Sequence, residues 1–346
     1  MTFEPIGAAA ARVVSKIAPI ALTEPGRVRE PGWYDMPAGV YHADPAPEPS
    51  LSSSVAKVLI DRSPRHAWEM HPRLNPSAVA DGDPTRPKEI GTAAHKLILG
   101  RGRDLVVIEA EDYKRQAARD QRAEAYQLGR APILRCDLDT AEAIAVAAQR
   151  QLIEIPGCAG FAGATTELVA ICRDLTGAWL RIAIDAFEDH GTHAVIWDVK
   201  TGEQPAAPEG LGRRIAGMGM EVQAALYERA VLTLRPELAG RLTFRWLFIE
   251  NDDPHMAVVS ELDNVGLGVG RKKVAAAIGA WNRCMAAGQW PGYPASIVIA
   301  EYPPYAEAAW LARELTDGSI AAALNDPFLN RSPWAAAPSR PIVEAC

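Results

Sequence analysis

Trp179-Leu-Arg-Ile-Ala-Ile-Asp185, a polar turn at Asp189-His190-Gly191, and Val195-Ile-Trp-Asp198-Val-Lys200-Thr201 together decide how this chain is read. Both flanks are rich in β-branched and aromatic residues, and the residues between them favour a hairpin turn. On a strand, alternate side chains share a face, so Asp198 and Lys200 point the same way, about 6–7 Å apart. Val199 points into the core, while its carbonyl stays available at the same edge. If the two strands pair, Asp185 lies beside Asp198. Two carboxylates and a carbonyl then form an oxygen-rich pocket suited to a hard divalent cation. Such an ion lowers the pKa of water and neutralises charge developing on a phosphate. Lys200 is placed either to orient the attacking water or to stabilise the transition state. A salt-bridged strand end, with Asp198 and Lys200 simply pairing, explains the same spacing.

Outward from this centre, Glu167–Cys172, Leu242–Glu250 and Met256–Glu261 read as further strands. Helical patterns cover Ser52–Ser63, Glu89–Leu99, Glu111–Arg130, Thr140–Ile153, Arg214–Leu234 and Leu267–Ala287. Residues 72–88 and 202–212 read as loops. A second acid-x-lysine spacing, Asp112-Tyr113-Lys114, falls in a polar segment read as helical. There a separation of two places the side chains on different faces, so it is set aside. The pattern predicts an α/β fold, a central mixed β-sheet flanked by helices. The expected organisation is a loosely structured arm over 1–50, one domain over 51–301, and an Ala/Pro-rich tail over 302–346 with one short helix.

The chain has 346 residues, 48% hydrophobic and 23% charged, ordinary for a globular protein with a sizeable core. No apolar run approaches the roughly 18 residues of a spanning helix, and the Ala-rich start lacks the order of a secretory signal. A cytoplasmic protein with no membrane partner is expected. The five cysteines are scattered without a C-x-x-C pair, which argues against a disulfide framework, zinc or an iron–sulfur cluster. A net charge of −7 argues against indiscriminate coating of nucleic acid. The basic clusters at Arg101/Arg103, Lys114/Arg115, Arg213/Arg214 and Arg271-Lys272-Lys273 read as solvated surface. Only 8 of the 36 basic residues are lysine, so Lys200 inside an apolar strand stands out.

The order Gly91-Thr-Ala-Ala-His95, Glu167, Arg181…Asp185, Asp198-Val-Lys200 and Gln223-Ala-Ala-Leu-Tyr227 resembles the PD-(D/E)xK nuclease superfamily. The match is to its RecB-like branch, nearest the phage exonuclease VIII (RecE) type. It runs from about Leu51 to Tyr293 and includes Pro49-Ser-Leu-Ser-Ser-Ser-Val, Ser63-Pro64 and Gly288-Gln-Trp-Pro-Gly-Tyr293. The resemblance implies a restriction-endonuclease-like core and a DNA nuclease, an exodeoxyribonuclease acting on ends of linear DNA for recombination or repair. It implies Mg²⁺ or Mn²⁺, one or two ions, held by His95, Asp185, Asp198 and the Val199 carbonyl, with Lys200 catalytic.

Under the same resemblance Glu167 is an accessory ligand or orients water, or is an unrelated strand-end carboxylate. Gln223 and Tyr227, four apart on one helical face, contact substrate or tune the metal shell, or form a partly buried face. Arg181 grips a phosphate or makes a strand salt bridge. DNA, a single-strand-annealing recombination protein and further copies of the chain are the implied partners. Two departures, Ile184 before the first Asp and Met220/Val222 before the Gln, put the shape of the DNA channel in question. A non-catalytic DNA-end-binding or partner-binding module on the same fold is the alternative.

Overall fold

In the computed structural model, which describes residues 17–78 and 84–326, the chain enters through two short strands, β1 (Ile20–Ala21) and β2 (Gly32–Asp35). Helix α1 (Ala38–His42) and the two-residue strand β3 (Ser50–Leu51) follow. Ser52 accepts the Val55 N–H and caps α2 (Ser53–Asp61); Ser63 caps α3 (Pro64–Met70), with proline at the first helical position. Helix α4 (Arg86–Leu99) stops at Gly100, whose φ of 68° is the left-handed cap that glycine adopts without steric cost. Strands β4 (Leu105–Ile108) and β5 (Ala131–Leu134) enclose α5 (Gln116–Gln127) and pair in parallel as a small separate sheet, followed by α6 (Arg135–Glu154).

The centre carries β6 (Thr165–Arg173), β7 (Trp179–Asp189), β8 (Ala194–Gly202), α7 (Pro208–Gly217) and α8 (Met220–Leu234). Then come β9 (Leu242–Glu250), β10 (Ala257–Ser260) and the long α9 (Asn264–Ala287). The main sheet has eight strands in the order β1-β2-β6-β7-β8-β9-β10, with β3 beside β7. It is mixed: β8 and β9 run parallel along their whole length, whereas β6, β7 and β8 form an antiparallel meander.

Alternation along β9 buries both faces. Trp246 and Phe248 pack with residues of α8 and α9, including Leu226 and Trp281, while Leu247 and Ile249 pack with α4 and α6 through Ala94, Ile98 and Ile144. This is the predicted α/β class, a mixed sheet between helical layers. The first compact unit runs to Tyr293; the second, from Pro294, holds α10 (Pro304–Thr316) and α11 (Gly318–Ala323), two helices where one was predicted.

Several expectations fail for identifiable reasons. The arm expected over 1–50 contributes β2, α1 and β3 within its described part, elements too short to show a period. Strands β4 and β5 are short apolar runs, which carry no readable alternation. The single helix expected over Arg214–Leu234 is two, broken at Gly219 with φ 60°. Asp112 and Lys114 form an exposed ion pair at 2.9 Å ahead of α5 rather than within it. Cys158, Cys172 and Cys284 are buried free thiols and Cys136 is exposed; Cys346 lies outside the described residues. Among the described residues no helix is long and apolar enough to cross a membrane.

Candidate active site

Strands β7 and β8 pair only from Ala186↔Trp197 to Asp189↔Ala194, and then they part. Asp185 and Asp198 stand at the point of divergence. One step further along β7, the Asp185 carboxylate replaces the missing ladder bond: its Oδ2 accepts the Val199 N–H at 2.6 Å. A residue's N–H and C=O project to the same side of a strand, so the Val199 carbonyl faces the same opening.

Glu167 is placed opposite Asp185 by the β6–β7 register, in which its neighbours pair as Thr166↔Ala186 and Leu168↔Ile184. Its φ is 54°, a left-handed conformation rare for a side chain of this kind and costing on the order of 1–2 kcal/mol. Strain of this sort persists where surrounding structure imposes it, and it concentrates at functional sites.

His95 reaches in from α4. Four residues earlier, on the same helical face, a Cβ at Gly91 would lie 2.8 Å from Thr201 Oγ1, so glycine lets α4 approach β8. The imidazole bridges two carboxylates, with Nε2 3.2 Å from Asp185 Oδ2 and Nδ1 3.4 Å from Glu167 Oε1. Burial pushes His95 down, but Asp185 and Glu167 outweigh it and hold the imidazole up at about 8. Burial likewise raises Glu167, against the opposing pull of His95.

Lys200 Nζ lies 2.6 Å from Asp198 Oδ2, and Gln223 Nε2 donates to Asp198 Oδ1 at 2.7 Å. Burial disfavours the Lys200 charge, yet Asp198 and Asp185 together keep it above the ordinary lysine value. Asp198 is itself raised, because burial and the neighbouring Asp185 outweigh Lys200. Tyr227 donates to the Ala183 carbonyl at 2.7 Å, tying α8 to β7, and its phenol is raised by burial. Gln223 therefore touches the carboxylate cluster directly, while the Tyr227 hydroxyl is committed to the backbone of β7.

Arg181 departs from the phosphate-gripping role. It is 4% exposed, lies 3.3 Å from Asp44 Oδ1 and donates to the Ser50 carbonyl at 2.6 Å. A guanidinium this deep needs a partner, and β3 with the turn at Asp44 supplies one. Arg181 thus pairs with a carboxylate far away in sequence and outside the strands.

Sequence reasoning missed the opposite wall. A cavity of about 360 Å³ is floored by Glu167, Lys200, Gln223 and Tyr227 and walled by Tyr41 and His42 of α1 and by Ser53, Ser54 and Lys57 of α2. Lys57 shows the missed signal most clearly. As the lone lysine of an amphipathic helix in a lysine-poor chain it could have been singled out, as Lys200 was. Its charge is disfavoured by burial and then by Lys200.

Among the described residues no three His, Cys, Asp or Glu side chains are gathered in metal-binding geometry, because Asp185 turns to an amide and Asp198 to Lys200 and Gln223. The donor set fits a divalent cation by its chemistry: one imidazole, clustered carboxylates and a strand carbonyl. Asp198 Oδ2 is fully buried, with the Lys200 ammonium 2.6 Å away as its charged partner.

No curated protein matches the sequence. Among solved structures, the chain is similar to a candidate exonuclease from Eubacterium rectale, with 12% identity, a TM-score of 0.47, and coverage of 78% of this chain and 94% of that one. It is also similar to LHK-Exo, solved in complex with dAMP, at 15% identity and a TM-score of 0.20, covering 59% of this chain and 96% of that one. The sequence profile of the PD-(D/E)XK nuclease superfamily matches residues 50–326, most of the chain's length, and the protein belongs to that superfamily.

Proposed function

We propose that the protein is a divalent-metal-dependent deoxyribonuclease that hydrolyses phosphodiesters from the ends of linear DNA, in the manner of the exonuclease VIII type of the RecB-like branch. The observation that carries this reading is the convergence of His95, Glu167, Asp185, Asp198 and Lys200 where β7 and β8 part. Nucleases of this superfamily generally use divalent metals. In our reading His95, Asp185, Asp198 and the Val199 carbonyl hold Mg²⁺ or Mn²⁺, one or two ions, with Glu167 as the accessory carboxylate. The ion supplies positive charge to the scissile phosphate and lowers the pKa of water.

The chain's own groups do the rest. Lys200 keeps its proton against burial and places a fixed cation beside the phosphate, where charge develops in the transition state. Gln223 holds Asp198 in orientation, as outer partners of ligands do. DNA is the substrate in this reading, with a single-strand-annealing recombination protein and further copies of the chain as partners.

The test is digestion of end-labelled linear duplex DNA with Mg²⁺ by wild type, Asp198→Ala and Lys200→Ala, with closed circular DNA alongside. Wild type is expected to consume linear DNA and spare circles, and each variant to lose on the order of 10²-fold or more in rate. Cleavage of circles would replace the exonuclease reading by an endonuclease. Intact linear and single-stranded DNA across salt and pH would overturn the nuclease assignment of this site.

A further inference from the structure

The left-handed backbone of Glu167, φ 54°, is not held by the sheet itself. Strand β2 pairs with β6 only as far as Tyr34↔Val169, and the β6–β7 register passes from Thr166↔Ala186 to Leu168↔Ile184 without pairing Glu167. Because a peptide is planar, φ of Glu167 is set by how the Thr166–Glu167 peptide is turned. A contact on the Thr166 carbonyl therefore acts on that torsion directly.

Such a contact comes from Arg101. Its Nη1 donates to the Thr166 carbonyl at 3.4 Å, while Nη2 donates to both Asp35 oxygens, each at 2.7 Å. Asp35 is the last residue of β2, and Arg101 follows Gly100 at the end of α4, the helix that carries His95. The guanidinium thus joins α4, β2 and β6 where the ladders lapse. Gly102, with φ 122°, brings the loop so close that a Cβ there would lie 3.9 Å from Glu167 Oε1. Lys96 secures the same loop, donating to the Gly102 carbonyl at 3.3 Å and to Asp104 Oδ1 at 3.0 Å. The Arg101 and Asp35 side chains are 45% and 39% exposed, and an ion pair so exposed adds little to folding. A planar fork can grip a carbonyl and a carboxylate at once in fixed directions, which an ammonium cannot.

We propose that Arg101, braced by Asp35, is a positioning residue that holds the Thr166–Glu167 peptide so that the Glu167 carboxylate stays turned to His95. The inference rests on the nuclease reading above, in which Glu167 is the accessory carboxylate. Arg101 acts through Glu167 and not on DNA.

The experiment compares wild type, Arg101→Gln, Arg101→Lys, Glu167→Gln and Arg101→Gln/Glu167→Gln. Each is measured by steady-state digestion of linear duplex DNA with Mg²⁺, by calorimetric titration of the DNA-free protein with Mn²⁺, and by thermal melting. Arg101→Gln is expected to lower kcat by about 10- to 100-fold, the range for outer partners of ligands, and to weaken Mn²⁺ binding by a similar factor. KM stays within about twofold. With Glu167 already replaced there is nothing left to position, so adding Arg101→Gln changes either readout by less than about threefold. Arg101→Lys keeps the charge but not the fork and stays close to Arg101→Gln. Tm of both Arg101 variants stays within about 4 °C of wild type, as an exposed pair allows.

Equal losses with and without Glu167, a raised KM at unchanged kcat, full recovery by Arg101→Lys, or a larger fall in Tm overturns the positioning role while wild type still binds Mn²⁺ and cuts DNA. If wild type binds Mn²⁺ and cuts no DNA, the nuclease reading falls and the calorimetric comparison alone decides the role of Arg101. A wild-type protein that does neither overturns both.

Discussion

Each group of the candidate site is held in a state that it would not adopt alone. Glu167 has a left-handed backbone, Asp198 is raised by burial, and His95 is lifted to about 8 by the carboxylates that it bridges. The carboxylates of the cluster pair with His95, Lys200 and Gln223. A divalent ion that binds the folded state alone stabilises it by mass action, about 2.7 kcal/mol at a concentration one hundred times its Kd. Thermal melting should therefore show Mn²⁺ raising Tm in wild type and leaving the Asp185→Asn/Asp198→Asn double variant where it was. An equal rise in both proteins would place the ion elsewhere. Asp185, Asp198 and Lys200 are legible in the sequence, because strand alternation alone puts the last two on one face. The strain at Glu167 is not, since φ depends on what the neighbouring strand imposes.

Among elements, the seam between β3 and β7 matters most, because it joins the chain's beginning to the strand that carries Asp185. Arg181 is the bolt: it donates to Ser50 on β3 and pairs with Asp44 at the end of α1. Removing one partner of a buried pair strands the other, at a cost of about 3–5 kcal/mol. Arg181→Met should lower the stability read by urea unfolding by about that amount. It should leave the salt dependence of DNA binding unchanged, since a lost phosphate contact would reduce that slope by roughly one. A stable variant with a shallower slope would return Arg181 to the phosphate. On the other side of the sheet, α9 crosses α8 at Gly270, where a Cβ would lie 2.4 Å from the Glu221 carbonyl oxygen. That contact fixes the spacing of two helices, one of which delivers Gln223. Patterning located both helices but said nothing of their distance.

For the whole molecule, the buried charge network beneath the cavity couples stability to pH. His71 packs on Trp281 with its Nε2 3.1 Å from the Ser50 carbonyl. The groups that face it are Asp44, Arg181 and Arg73. Burial first, then Arg181, lowers its pKa to about 4, against the opposing pull of Asp44. The folded value thus lies below the ordinary 6.5, so between the two the unfolded chain binds a proton that the folded one refuses. The contribution is complete above about pH 6.5 and is lost as pH falls toward 4, by at most ~1.4 kcal/mol per pH unit for one proton. His71→Gln should flatten the decline of the urea midpoint between pH 7 and pH 5, and a decline as steep as that of wild type would remove His71 as its source. This network draws on residues 44, 50, 71, 73 and 181, which no local pattern connects.

The sequence by itself determined what depends on near neighbours along the chain: the central strands, most of the helices, the α/β class, and the shared strand face of Asp198 and Lys200. Period and capping are local physics, and a motif on a strand keeps its meaning wherever that strand lies. Only the tertiary structure decided which groups meet across long separations. It turned Arg181 from a candidate phosphate contact into a buried support, brought Tyr41, His42 and Lys57 over Lys200, and parted β7 from β8 at the carboxylates. Those outcomes follow from burial and strand register, in which a charge must find whatever partner the packing leaves within reach.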